Sequence, residues 1–364
     1  MEVVDKELIL ANMQEVLEME GSGLRFMLDN DKYEDLRLVY RLVSRVDAEK
    51  KGLKKMMCQR LVQCGKDISR AASGPAAAAA ALASAPKPIA APAPSDEVGE
   101  SSVSGAAVAS EDKAANSATL LAIRWVDEVL LLKDKYEAIW EKSFEKDKGI
   151  QASMTKAFTD FINDFARSPE YMSLFIDENL RKGLKGKTEA EVDVVLEKAL
   201  TLFRYVGDKD VFERYYKKHL SRRLLMNRSV SHDAENQMIG KLKMEVGFAF
   251  TSKLEGMFKD MNVSEEMTSE YKKGGAVANK GGIDLAVSVL TSTFWPLNVM
   301  GGSTAHPCTY PSEIEGVRKS FEKYYLDRHS GRRLMWQANM VGLSLESSLQ
   351  VSSPLHSLIW DRWL

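Results

Sequence analysis

The chain has 364 residues, and 50 Lys+Arg against 52 Asp+Glu leave a net charge of −2. That balance excludes a polybasic nucleic-acid binder, while 45% hydrophobic and 28% charged residues fit a soluble globular class. No apolar run reaches the roughly 18 residues that would span a bilayer. The acidic start Met1-Glu2-Val3-Val4-Asp5 lacks the apolar stretch of a signal peptide. Three cysteines (Cys58, Cys64, Cys308) and five histidines predict neither a disulfide framework nor a zinc site. A reduced, intracellular, soluble protein is expected.

Read in chain order, the sequence is mostly helical by periodicity. Leu8, Ala11, Met13, Val16 and Leu17 give a first apolar face that ends near Gly21-Ser22-Gly23. Tyr33 to Val43 and Leu53 to Val62 repeat the pattern. From residue 72 to 117 the chain is Ala, Pro, Ser and Gly, and isolated Leu82 and Ile89 cannot make a buried face; a disordered insert is expected. Leu120 to Trp140 then predicts a long helix that buries Val126, Val129, Leu130 and Leu132.

Punctuation sharpens downstream. Ser168-Pro169 predicts an N-cap followed by proline in the first turn. Thr188-Glu189-Ala190-Glu191 is a capping box launching the stripe Val192, Val195, Leu196, Ala199, Phe203 and Val206. Asp210 precedes the stripe Phe212, Tyr215, Tyr216, His219 and Leu220, and Ser231 starts a helix carrying Met238, Ile239 and Leu242. Four such helices with short connections predict a bundle over 167–272. After Gly281-Gly282 the period becomes two: Ile283, Leu285, Val287 and Val289 alternate with Asp284, Ala286 and Ser288, which predicts a half-buried strand. Ser312 opens a last helix with Ile314, Val317, Phe321 and Tyr324 or Tyr325 on its face.

Catalytic motifs are absent: the sequence holds no GxSxG, HExxH, GxxxxGK[ST] or CxxC. The glycine pairs around Asn279-Lys280 lack the spacing of a phosphate loop and predict a flexible connector. Cys58 and Cys64 stand six apart, off the helical spacing that would pair them as ligands. His219 is expected as a hydrogen-bonded, partly buried residue, and His329 at a helix end suits the macrodipole. No catalytic, cofactor or metal site is expected. The conspicuous charge run lies between Glu213 and Arg228, where six cationic side chains face one carboxylate. Arg214, Lys217, Lys218, Arg222 and Arg223 form either a solvated face or a contact for an acidic partner.

One long stretch is familiar. Asp210-Val211-Phe212-Glu213-Arg214-Tyr215-Tyr216-Lys217-Lys218-His219-Leu220-Ser221-Arg222-Arg223-Leu224-Leu225 resembles the signature of the cullins. So do Ser231-His232-Asp233-Ala234-Glu235, the run Phe250 to Met261, Arg167-Ser168-Pro169-Glu170-Tyr171, Phe294-Trp295-Pro296 and Arg328-His329-Ser330-Gly331-Arg332. In detail the sequence is most similar to the cullin-3 type, which works with BTB-domain adaptors. The resemblance implies a mainly α fold: cullin-repeat helices over 1–71 and 118–166, the four-helix bundle over 167–272, and a partial α/β cullin homology domain over 281–340. Residues 341–364 are expected as a divergent tail.

Cullins are scaffolds of multisubunit ubiquitin ligases, so the resemblance implies a non-enzymatic scaffold acting in ubiquitin-dependent protein catabolism, cytoplasmic and nuclear. Its service would be proximity between substrate and ubiquitin donor. The alternative is a truncated interaction fragment that binds cullin partners without supporting ubiquitin transfer. In the family a RING-box protein adds an extended strand to the α/β domain. The expected interface is Ile283, Leu285, Val287, Val289 and Trp295, with Trp295 either touching the partner or simply closing the core. That contact is expected to be weakened by truncation, and the repeat that binds BTB adaptors to be missing. Neither nucleic acid nor membrane is an expected partner.

Overall fold

The computed structural model describes residues 12–73, 105–273, 285–296 and 312–336, with side chains placed from residue 117 in the second stretch. The described chain is mainly α. It runs through α1 (Met13–Glu18), α2 (Leu24–Asp29), α3 (Tyr33–Val46), α4 (Lys51–Ser73), α5 (Gly105–Ser143), α6 (Lys148–Asp164), α7 (Ser168–Glu178), α8 (Glu189–Phe203), α9 (Lys209–Leu225), α10 (His232–Val246), α11 (Phe248–Lys273) and α12 (Ser312–Arg328). Two compact units emerge, one of residues 1–219 and 229–247, the other of 220–228 and 248–364.

The first unit is built on long helices. Leu53, Met57 and Leu61 of α4 are buried, as are Trp125, Val126, Val129, Tyr136 and Ile139 of α5 and Ile150, Phe158, Phe161 and Ile162 of α6. Gly65 lets α4 and α6 close: a Cβ there would stand 2.4 Å from the Phe161 ring. The Trp125 indole N–H donates to Ser69 Oγ at 3.2 Å, and Ser69 in turn donates to Gly65 O at 2.9 Å. α6, absent from the sequence reading, starts at Asp147, whose carboxylate accepts from the N–H groups of Gly149 and Ile150.

Two expected helix starts behave as read and one does not. Thr188 forms a complete capping box with Glu191, and Ser231 caps α10 by accepting from Asp233 and Ala234. Ser168, however, is the first residue of α7, and Arg167 is its cap without a side-chain bond. The α8 stripe packs as expected, with Leu196, Ala199, Phe203 and Val206 buried and Phe203 against Phe212 at 4.8 Å between ring centres. Lys241 of α10 reaches Asp193 and Glu197 of α8 at 2.9 and 3.2 Å.

The expected insert is too wide at both ends. Ala72 is buried, its carbonyl accepting from the Tyr171 hydroxyl at 3.0 Å. Residues 105–117 are the first turns of α5 rather than loop, and Ser117 is buried. The rest of that stretch, 74–104, lies outside the described residues, as do residues 1–11, the glycine pairs at 274–275 and 281–282, Cys308 and the 341–364 tail.

In the second unit, α11 and α12 meet through Tyr271, Phe321 and Tyr325. Tyr271 packs edge-on against Phe321 at 5.3 Å, and its hydroxyl bonds Ser320 Oγ at 3.0 Å. Leu285, Val287 and Val289 lie partly buried on this cluster. Their alternation is as expected, but the segment 285–290 forms no strand ladder among the described residues. Its backbone bonds run to helix side chains instead.

Candidate functional site

The site is the extended segment from Leu285 to Thr291 and the face of α11 that holds it. Three polar side chains four residues apart, Asp260, Ser264 and Thr268, share one stripe of α11. Asp260 accepts from Thr291 N–H at 2.7 Å and from its hydroxyl at 3.0 Å. Ser264 Oγ accepts from Val289 N–H at 2.8 Å and lies 3.2 Å from the Val289 carbonyl. That hydroxyl is also 2.6 Å from the Asp260 carbonyl, so two acceptors share its single proton. Thr268 Oγ1 donates to the Val287 carbonyl at 3.1 Å and accepts from its N–H at 3.4 Å.

Each hydroxyl thus meets both the N–H and the carbonyl of one residue, as an opposing strand would. In an extended chain the backbone groups of alternate residues face opposite edges. Residues 287, 289 and 291 address the helix; the N–H and carbonyl groups of Ala286, Ser288 and Leu290 have no hydrogen-bond partner among the described residues. The side chains of Leu285, Val287 and Val289 fix the segment to the Tyr271–Phe321–Tyr325 core, while Ala286 and Ser288 are exposed.

A turn with Phe294 N–H on Thr291 O at 2.9 Å ends the segment. Trp295, 3% exposed, then donates its indole N–H to Asp260 at 2.9 Å. It is buried against α11 and not on an open face. Phe294 covers Gly256, where a Cβ would stand 2.6 Å from the ring. Further along the cluster, Arg328 lies over the Tyr324 ring at 4.6 Å and pairs with Glu270.

The structure therefore sets Leu285, Val287 and Val289 on one cluster, while Trp295 is tied to α11 through Asp260; Ile283 lies outside the described residues. Asp260, Ser264 and Thr268 were missed as a set. Their four-residue spacing was the available signal, but Ser and Thr inside a helix carry no such meaning until the partner segment is known.

The basic run does not form one face. Arg214 and Arg222 are exposed, Lys217 and Lys218 are half-buried with partners of their own, and Arg223 is 2% exposed. Arg223 is thereby removed from any surface contact, because the side chain at that helical position turns into the protein. His219 is partly buried as expected, with Nδ1 3.7 Å from an Asp177 oxygen, a carboxylate brought by a different helix. His329 follows the end of α12, its ring 4.7 Å from Tyr325. Burial pushes the thiols of Cys58 and Cys64 up from their ordinary pKa. Among the described residues no group of three or more His, Cys, Asp or Glu could hold a metal ion, and no helix is long and apolar enough to cross a membrane.

Comparison with known proteins decides the family. The cullin alpha solenoid domain matches residues 1–268, and the cullin alpha+beta domain matches residues 289–356. The chain belongs to the cullin family. The second match runs past residue 340, where the family likeness was expected to stop. Among cullin relatives, Cullin-3 of Dictyostelium discoideum is 40% identical over 97% of this chain and 40% of its own length. Cullin-3A of Arabidopsis thaliana is 40% identical over 93% of this chain and 39% of its own length. Cullin-3 of Schizosaccharomyces pombe is 38% identical over 93% and 39%. The chain thus spans about two fifths of these cullins. The segment Leu285–Thr291 falls at the start of the alpha+beta match.

Proposed function

We propose that this chain is scaffold for a cullin-RING ubiquitin ligase, acting in ubiquitin-dependent protein breakdown and contributing no catalytic side chain. RING-box and BTB-adaptor partners are those the cullin-3 type implies, and the site bears on the first. The supporting observation is the segment 285–291: extended, anchored through alternate apolar side chains, bonded along one edge to α11 and, among the described residues, open along the other. An edge of that kind takes an added strand, with backbone hydrogen bonds supplying affinity.

The test is co-expression with a tagged RING-box protein and capture on the tag. The chain should be retained, and Val287→Lys should abolish retention with helical circular dichroism unchanged. Leu131→Lys, at a position exposed in the other unit, is the control and should leave capture intact. No capture, or capture indifferent to Val287→Lys, removes the reading.

A further inference from the structure

We propose that Asp260, Ser264 and Thr268 are positioning residues that hold residues 287–291 in strand conformation in advance, so that a partner strand meets a preformed edge. The inference rests on the strand-addition reading and adds to it the device that prepares the site.

An isolated strand cannot wait in water in one conformation, because each residue loses backbone entropy on extension and gains no ladder in return. Here α11 stands in for the missing neighbour. Four helical residues advance about 6 Å and two extended residues advance slightly more, so side chains at 260, 264 and 268 come opposite residues 291, 289 and 287 in turn. Hydroxyls suit the two inner rungs because each can donate and accept at one atom. A carboxylate suits the outer rung because it meets donors only: the Thr291 N–H and hydroxyl and the Trp295 indole.

The arrangement also dictates which edge is offered. With 287, 289 and 291 engaged, an incoming chain can pair only with Ala286, Ser288 and Leu290. A segment free to roll by one residue would present the other edge and send its apolar side chains outward. The ladder blocks that slip.

Amide hydrogen exchange, read residue by residue on the full chain, tests this. Without a partner, the amides of Val287, Val289 and Thr291 should exchange at least about a hundredfold more slowly than those of Ala286, Ser288 and Leu290. Adding a purified RING-box protein should slow the second set. In the double variant Ser264→Ala, Thr268→Val, protection of Val287 and Val289 should vanish while Thr291 keeps its own. RING-box affinity should fall about tenfold, as expected for two lost rungs. Thr268→Ser, which keeps the hydroxyl, should bind like the parent, and Thr268→Val alone serves if the double variant does not fold. Lost protection with unchanged affinity overturns the positioning role and leaves strand addition standing. RING-box binding that never slows the amides of 286, 288 and 290 overturns strand addition, with the ladder itself still visible in the exchange pattern.

Discussion

At the scale of single residues, Asp147 ties together several parts of the first unit. One oxygen caps α6 through the N–H groups of Gly149 and Ile150, at 2.7 and 3.0 Å. The other accepts from the Tyr40 hydroxyl at 3.1 Å and pairs with Lys50 at 2.9 Å. Its backbone carbonyl takes the Trp140 indole N–H at 2.8 Å. Burial alone would raise its pKa, but Lys50 and the two backbone donors outweigh it and hold the carboxyl at about 2. Because the folded value lies below the unfolded one, the contribution is whole above about pH 4 and disappears as pH falls towards 2. It amounts to no more than about 2 kcal/mol once solvent screening is allowed for.

Asp147→Asn should keep the cap, strand the Lys50 ammonium, and lower stability in urea by about 1–2 kcal/mol at pH 7. Its loss of stability between pH 4 and 2 should be shallower than the parent's. An equal acid slope in both would show that Asp147 is not the titrating group. The contrast with Thr188 explains what the sequence could disclose. Thr188 and Glu191 are three residues apart and announce their box locally, whereas Tyr40 and Lys50 lie about a hundred residues from Asp147 and no local pattern links them.

At the scale of elements, one close helix contact is made by a residue with no side chain. Gly65 sits in the middle of α4, where glycine costs about 1 kcal/mol against alanine in an ordinary helix. Alanine here would drive its methyl into Phe161, with ring atoms at 2.4, 2.5 and 2.7 Å from the new carbon. Gly65→Ala should therefore destabilise by about 2–3 kcal/mol despite its better propensity. Adding Phe161→Leu should recover part of that loss, and a strictly additive double mutant in thermal melts would refute the contact.

Periodicity revealed most helices because burying one face is a local property of a chain. The same property is present in α6, whose buried Ile150, Met154, Ala157, Phe158, Phe161 and Ile162 keep helical spacing behind the Asp147 cap, so its absence from the expected elements is an oversight and not a lack of signal. The segment at 285–291 was legible in one respect only. Its period of two told which side chains face the core, but side-chain alternation says nothing of what the backbone pairs with. The sequence therefore predicted a sheet where a helix supplies the bonds.

At the scale of the whole molecule, the compact units and the family domains do not divide the chain at the same place. The alpha solenoid match ends at residue 268, inside α11, while the second compact unit already holds residues 220–228 and everything from Phe248 onward. The family likeness covers sequence inherited together; compactness records which residues bury one another, and α11 answers to both. Composition likewise drew the Ala/Pro-rich stretch too wide, because Ala72 is buried under a bond from Tyr171, 99 residues along the chain, and Ser117 is buried as well. A deletion should respect those anchors. Replacing residues 76–102 with a short Gly/Ser linker should leave the melting temperature within about 2 °C of the parent, a shift corresponding to about 1 kcal/mol. A larger drop would assign that stretch a packing role.

The ladder on α11 also behaves as a vernier. Each rung pits about 6.0 Å of helix against about 6.7 Å of extended chain, so the two scales slip by about 0.7 Å per step. The side chains absorb that difference: the N–H contacts are 2.7 Å at Thr291, 2.8 Å at Val289 and 3.4 Å at Val287, while the carbonyl contacts stay at 3.2 and 3.1 Å. Such a device carries its own ruler. It grips the five residues from Val287 to Thr291, and on the strand-addition reading that length sets how much preformed edge an incoming strand would meet.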